Sequence, residues 1–147
     1  MDLHLSGKTA LVSGSSSGIG AAIARTLAAE GVSVVVHGRH EERLHAVASA
    51  ITREGGKAYV AQGDLSTDEG ANETIRATLA ALGGAPDILV NNAGGGDEDT
   101  LQTWQSSLAS WRGLIEHNLF GALRLTLQLL PKLRDQTWGR IINVASG

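Results

Sequence analysis

Cysteine is absent from the 147 residues, so neither a disulfide framework nor a thiolate metal site can be built. Excess positive charge is absent too. Twelve Lys and Arg stand against 15 Asp and Glu, a formal net charge of -3, which gives no broad field to hold phosphates and argues against nucleic acid as a partner. No run approaches the length of a membrane span, and the opening MDLHLSGKTALV lacks a basic stretch followed by a long apolar one. The expectation is a soluble protein with no membrane contact, the cytoplasm being the default location. Aromatic residues are few, with one Tyr, one Phe and three Trp. Trp104, Trp111 and Trp138 read as packing residues around a long helix rather than as a platform for stacked bases. The five histidines, His4, His37, His40, His45 and His117, lack the spacing of a metal motif, so no metal is expected.

Glycine, by contrast, is abundant at 19 residues, alongside 42% apolar and 18% charged residues, a composition of ordered globular chains with many tight turns. The length suits one domain, 1-147, and no linker or low-complexity tract divides it. From Lys8 the run TALVS leads through GSSSGIG into AAIARTLAAEG, a strand, a tight turn and a helix. The phrase repeats as VSVVVHG, EERLHAVASAITREGG and KAYVAQG. A third helix fits from about Thr67 to Leu82, and DILVNNAGGG supplies a fourth strand and a second glycine cluster. One long helical pattern or two abutting ones fill Ser107 to Leu133, ahead of a fifth strand RIINVAS. Alternating helices and doubly apolar strands predict an α/β fold, a doubly wound parallel sheet of the Rossmann type in the order 3-2-1-4-5.

Gly14, Gly18 and Gly20 fall between the first strand and first helix, where a chain without Cβ can approach a pyrophosphate closely. The helix N-terminus then faces the anion, and Ser15, Ser16 and Ser17 could add donors. The spacing is G-x-x-x-G-x-G. Ser13 to Gly20, SGSSSGIG, resembles the TGxxxGIG signature of the classical short-chain dehydrogenase/reductase family, with Ser in place of Thr. The resemblance implies a cofactor-binding role for Gly14, Ser16, Ser17, Gly18, Ile19 and Gly20.

At the end of the second strand the chain reads HGRH. A carboxylate there would favour the ribose hydroxyl of NAD, whereas the guanidinium fork of Arg39 suits a 2′-phosphate, so NADP(H) is expected over NAD(H). The competing reading makes Arg39 a solvated residue opening the next helix. Asp64 and Leu65 resemble the family's pair beside the adenine ring, and Asn91-Asn92-Ala93-Gly94 reproduces its NNAG segment, which brings Asn91, Ala93 and Gly94 into the expected site. A turn carboxylate and an Asn-rich turn are the plainer readings.

Family members reduce a carbonyl or oxidise an alcohol with a tyrosine as proton donor or acceptor, a lysine four residues later, a serine and a helix asparagine. By that resemblance Asn118, in EHNLFGAL, and Ser146, in GRIINVASG, take catalytic roles. The tyrosine and lysine have no candidates. Tyr59 is the only tyrosine, and position 63 is Gly. The expectation is therefore the N-terminal, NADP(H)-binding portion of an oxidoreductase, lacking the family's last strands, inactive by itself and part of a homo-oligomer with a small carbonyl or alcohol substrate. The alternative is a non-catalytic module that holds a dinucleotide or a partner.

Overall fold

A computed structural model describes residues 3–95 and 107–145. Five parallel strands, β1 (Thr9–Val12), β2 (Ser33–Gly38), β3 (Lys57–Gln62), β4 (Ile88–Asn91) and β5 (Arg140–Asn143), form one sheet in the order β3-β2-β1-β4-β5. That is the order expected from the sequence. Helices α1 (Gly18–Ala29) and α2 (Glu41–Arg53) pack with Ala10, Val12, Val34, Val36, Ile88 and Val90 on one face. Helix α3 (Asp68–Leu82) and a later helix cover the other, where Leu11, Val35 and Leu89 meet Ile75, Leu125 and Leu129. Successive strand residues thus feed opposite cores, which is why the central strands read as unbroken apolar runs. Full burial of each such Val or Leu contributes about 1.5–3 kcal/mol.

Local boundaries shift where tertiary structure overrides periodicity. Helix α1 starts at Gly18, three residues before the apolar pattern does, because the last turn of the glycine loop is already helical. The stretch expected as one long helix or two abutting ones is α4 (Leu108–Ile115), a π-helical turn (Glu116–Phe120) and α5 (Gly121–Arg134). The wider turn absorbs an extra residue, so no single 3.6-residue period spans it. Strand β5 ends at Asn143, short of the expected RIINVAS, although the Val144 N–H still donates to the Asn91 carbonyl at 2.9 Å.

At the opposite end of the sheet a reciprocal clamp closes β1 on β4. Asp87 Oδ2 accepts from Thr9 N (2.9 Å) and from its hydroxyl (3.2 Å), and Asp87 N donates back to Thr9 Oγ1 (3.0 Å). Trp138 packs against the α1–α2 core with Lys8 and Arg140 over its ring, while Trp111 on α4 is half exposed and Trp104 lies outside the described residues. Among the described residues no helix is long and apolar enough to cross a membrane, and no three His, Asp or Glu side chains gather as a metal site.

Candidate functional site

The carboxyl ends of β1, β2, β3 and β4 border one open cleft, at the place where the strand order reverses between β1 and β4. One side of it is the loop from Ser13 to Ser17. The Ser13 hydroxyl donates to the Val90 carbonyl (3.2 Å) and accepts from the N–H groups of Asn92 and Ala93 (both 3.0 Å). Asn92 Nδ2 reaches back to the carbonyls of Ser13 and Gly14, each at 3.1 Å. The NNAG segment therefore holds the glycine loop from the side of β4. Packing here leaves no room for side chains: a Cβ on Gly14, whose φ is +64°, would sit 2.7 Å from Ala93 Cα, and one on Gly20 would sit 2.2 Å from the Gly14 carbonyl oxygen.

Helix α1, which opens into this cleft, begins differently from α2, α3 and α4. Thr67 caps α3 by accepting from Gly70 N, Ser107 caps α4 by accepting from Ser110 N, and α2 carries Glu41 and Glu42 in its first turn. Helix α1 has neither a side-chain cap from Ser17 nor an acidic residue in its first turn. Its amides and positive dipole end are left for an external anion. Beside them Ile19 is 67% exposed, an apolar side chain uncovered at the loop.

On the other side, Arg39, His40 and Arg43 line the cleft, and its described lining contains no carboxylate. The Arg39 carbonyl is fixed by Gln62 Nε2 at 3.0 Å, so the backbone that aims the guanidinium is anchored to β3. Leu65, nearly fully buried, forms part of the wall, and Arg124 on α5 donates to its carbonyl (3.1 Å) while pairing with Asp68 (2.6 Å) and Glu116 (2.8 Å). Asp64 borders an adjoining hollow with Arg39, and its Oδ1 accepts from the Ser66 N–H (3.0 Å) and hydroxyl (2.8 Å). Burial alone would raise this carboxyl; the two Ser66 bonds, with Arg39 and His117 nearby, outweigh it and hold the group below its ordinary value. The turn-carboxylate reading of Asp64 is thus realised, in a hollow that Arg39 also lines.

Of the residues expected at the cofactor, Gly14, Ser16, Ser17, Arg39, Leu65, Ala93 and Gly94 line the one cleft. Gly18, Ile19 and Gly20 form the start of α1 above it. Asn91 does not line it: its Nδ2 donates to Thr126 Oγ1 (3.0 Å) and Asn143 Oδ1 (2.9 Å), joining β4 to α5 and β5. Asn118 sits in the π-helical turn. Its Oδ1 accepts from Gly95 N (2.7 Å), and its Nδ2 donates to the carbonyls of Gly95 and Leu114, both at 3.0 Å. The side chain therefore pins the end of the NNAG segment to α4. Ser146 lies outside the described residues.

Four contributors escaped the sequence reading. Asn92 acts on the loop although Asn91 was the one singled out, and His40, Arg43 and His117 join the lining. A fifth, His37, did leave a signal, as a polar residue closing the apolar run SVVVHG. Its imidazole is buried, and that burial lowers its pKa to about 4, against smaller upward pulls from the Gly63 carbonyl and Asp64.

A family model described as short chain dehydrogenase matches residues 8–147. The 3-oxoacyl-[acyl-carrier-protein] reductase of Aquifex aeolicus is 40% identical over 99% of the chain, which covers 58% of that protein. Among solved structures, L-sorbose reductase from Gluconobacter frateurii, complexed with NADPH and L-sorbose, superposes with a TM-score of 0.91 at 37% identity, over 99% of this chain and 55% of that one. A 7α-hydroxysteroid dehydrogenase complexed with NADH and a 7-oxo bile acid gives the same TM-score at 32% identity and the same coverage. The chain spans little more than half the length of these relatives.

Proposed function

The chain belongs to the short-chain dehydrogenase family, and on that premise we propose that it forms the nucleotide-binding part of an NADP(H)-dependent oxidoreductase acting on a small carbonyl or alcohol substrate. One observation carries the reading: the uncapped start of α1 opens onto the glycine loop, with Arg39, His40 and Arg43 at the other end of the same carboxylate-free lining. When bound, the dinucleotide supplies hydride chemistry at its nicotinamide ring. The α1 amides hold its pyrophosphate, Leu65 gives the adenine an apolar wall beside Asp64, and Arg39 pairs with the 2′-phosphate. Asn118 keeps the backbone of Gly95 in place beside Ala93 and Gly94. Ser146 takes the substrate-orienting role that the family resemblance assigns it.

Family membership does not choose between the two dinucleotides, since the solved relatives include complexes with NADPH and with NADH. Arg39 supports NADP(H). Fluorescence titration of both cofactors should show NADPH bound more tightly, and Arg39→Asp should weaken NADPH by roughly 10- to 100-fold, the size of a lost charge-assisted contact, with NADH little changed. An unchanged preference removes Arg39 from the proposal.

A second reading, a module that binds without turnover, is favoured by the lack of any Tyr-x-x-x-Lys in these residues. Tyr59, on β3, is followed four residues later by Gly63 and does not supply the pair. The 147-residue chain by itself should accordingly bind dinucleotide and reduce no ketone. Self-association and a cytoplasmic location belong to the same proposal. The first is supported by apolar side chains left open on the α4–α5 side, Trp111, Leu119, Leu127 and Ile142 among them.

A further inference from the structure

The two walls of the cleft come from strands that are not neighbours. The glycine loop follows β1, the Gly63–Leu65 turn follows β3, and β2 lies between them. Backbone pairing of β1 with β2 ends at Val12 and Val36, so the loop beyond Val12 lacks a ladder to keep it in register with the turn. The Gly63 N–H continues the β2–β3 pairing by donating to the Gly38 carbonyl at 3.1 Å, and His37 is the residue of β2 that bonds both the glycine loop and this turn. Its carbonyl accepts from Ser15 N at 2.8 Å and its N–H donates to Ser15 Oγ at 2.9 Å. The ring does the rest: Gly14 N–H donates to Nδ1 at 3.1 Å, and Nε2 stands 3.1 Å from the Gly63 carbonyl.

These partners fix the protonation of the ring. A backbone N–H can only donate, so Nδ1 must be bare; a carbonyl can only accept, so Nε2 must carry the hydrogen. The neutral Nε2–H form alone satisfies both. An imidazolium would turn an N–H against the N–H of Gly14. Asn92 Nδ2 holds the Ser13 carbonyl from the β4 side, and that carbonyl shares a peptide unit with the Gly14 N–H, so this one peptide unit is gripped at both ends, by β2 and β4. The Gly14 N–H is thereby spent inside the protein and is not a donor to the ligand.

Building on the dinucleotide reading above, we propose that His37 is a positioning residue for the adenosine diphosphate half of the ligand, its imidazole tying the glycine loop to the β3 turn so that the phosphate and adenine sites keep a fixed spacing. A ligand that touches both walls gains from this tie. One that touches a single wall does not. The two kinds of ligand therefore separate a spacing role from simple support of the fold.

The test compares ADP, which reaches both walls, with adenosine and inorganic pyrophosphate, each reaching one, by NMR titration of the protein and of His37→Leu and His37→Asn. In His37→Leu, of similar bulk but unable to accept or donate, ADP should weaken roughly 10- to 30-fold while adenosine and pyrophosphate change by no more than about threefold. His37→Asn keeps an acceptor close to the Nδ1 position and should recover part of the loss. Equal ADP affinity in a folded His37→Leu overturns the proposal, and so does a proportional loss for all three ligands. Should His37→Leu not fold, His37→Asn against the unsubstituted protein decides: a threefold or greater ADP-selective loss supports the tie, and none overturns it. The ring nitrogen spectrum near pH 6 gives an independent reading, since the Nδ1–H form or an imidazolium there overturns the geometry. Failure of the unsubstituted protein to bind ADP overturns the dinucleotide reading itself, whereas binding that ignores His37 overturns only the spacing role.

Discussion

The β1–α2 region and the α4–β5 region are built from similarly apolar sequence and treat it in opposite ways. Strand β2 is buried from Val34 to Gly38, and Leu44 and Ile51 on α2 are sealed against it. Strand β5 buries none of its four residues, Ile142 is 46% exposed, and α4 has no buried residue at all. Helix α5 stands between: Leu125, Leu129 and Leu133 close the α3 side of the sheet while Leu127 faces outward. The difference teaches that apolar periodicity reports a face to be covered, and not what covers it. In the first region the chain supplies its own cover within a few dozen residues. In the second, among the described residues, the cover is incomplete.

Matched truncations should expose the contrast most strongly. Leu44→Ala removes a fully buried side chain from the α2 core and should cost about 2–5 kcal/mol in denaturant unfolding. Leu127→Ala, on a leucine 65% exposed, should cost less than about 0.5 kcal/mol. Equal costs would mean that the α5 surface is covered in solution.

A pH series reads the same well-packed region through its buried imidazole. The folded protein holds His37 at about 4, below the ordinary 6.5, so as pH falls the unfolded chain takes up this proton first. Stability should therefore decline from about pH 6.5 and level off near pH 4, by roughly 3 kcal/mol in all, on top of other groups. In His37→Asn that component should vanish. Asp64 acts lower on the scale: its depressed carboxyl stabilises above the ordinary carboxylate range, and that contribution is lost as pH falls through its folded value. An unfolding profile identical in the two proteins between pH 6.5 and 4.5 would show that the ring is not buried as described.

The smallest thermodynamic effect should come from Leu127→Lys, which changes folding by less than about 0.5 kcal/mol but adds charge to the exposed apolar face. Light scattering should then show less self-association than in the unsubstituted protein. An unchanged mass would place the contact elsewhere.

The sequence made the sheet order legible because each strand–helix unit carries its own punctuation, from GSSSGIG to the NNAG segment. The glycine loop, Arg39 and Leu65 were legible for the same reason, as local patterns at strand ends. What stayed hidden depends on partners far along the chain. Whether Asn91 or Asn92 turns toward the loop is decided by strand pleat, with Asn92 at Ser13 and Asn91 at Asn143. The π-helical turn that presents Asn118 has no composition of its own, and Arg43 and His117 enter the cleft only once α2 and that turn have docked.

The hold of Thr9 on Asp87 reaches across 78 residues, and Ser13 is bonded to Asn92 and Ala93 across 79 and 80. During synthesis at about 5–20 residues per second, β1 emerges roughly 4–16 s before its β4 partner exists, and for that time it is an unprotected margin of a growing β1–β2–β3 sheet. Strand β2 can pair early, because only a short crossover separates it from β1. The central strand of the finished sheet thus gains its second neighbour only after β2 already has both of its own. Since the loop beyond it is set by the NNAG segment, the proposed dinucleotide site is complete only after the fourth strand has arrived, and a chain that stops short of β4 gains nothing from that ligand.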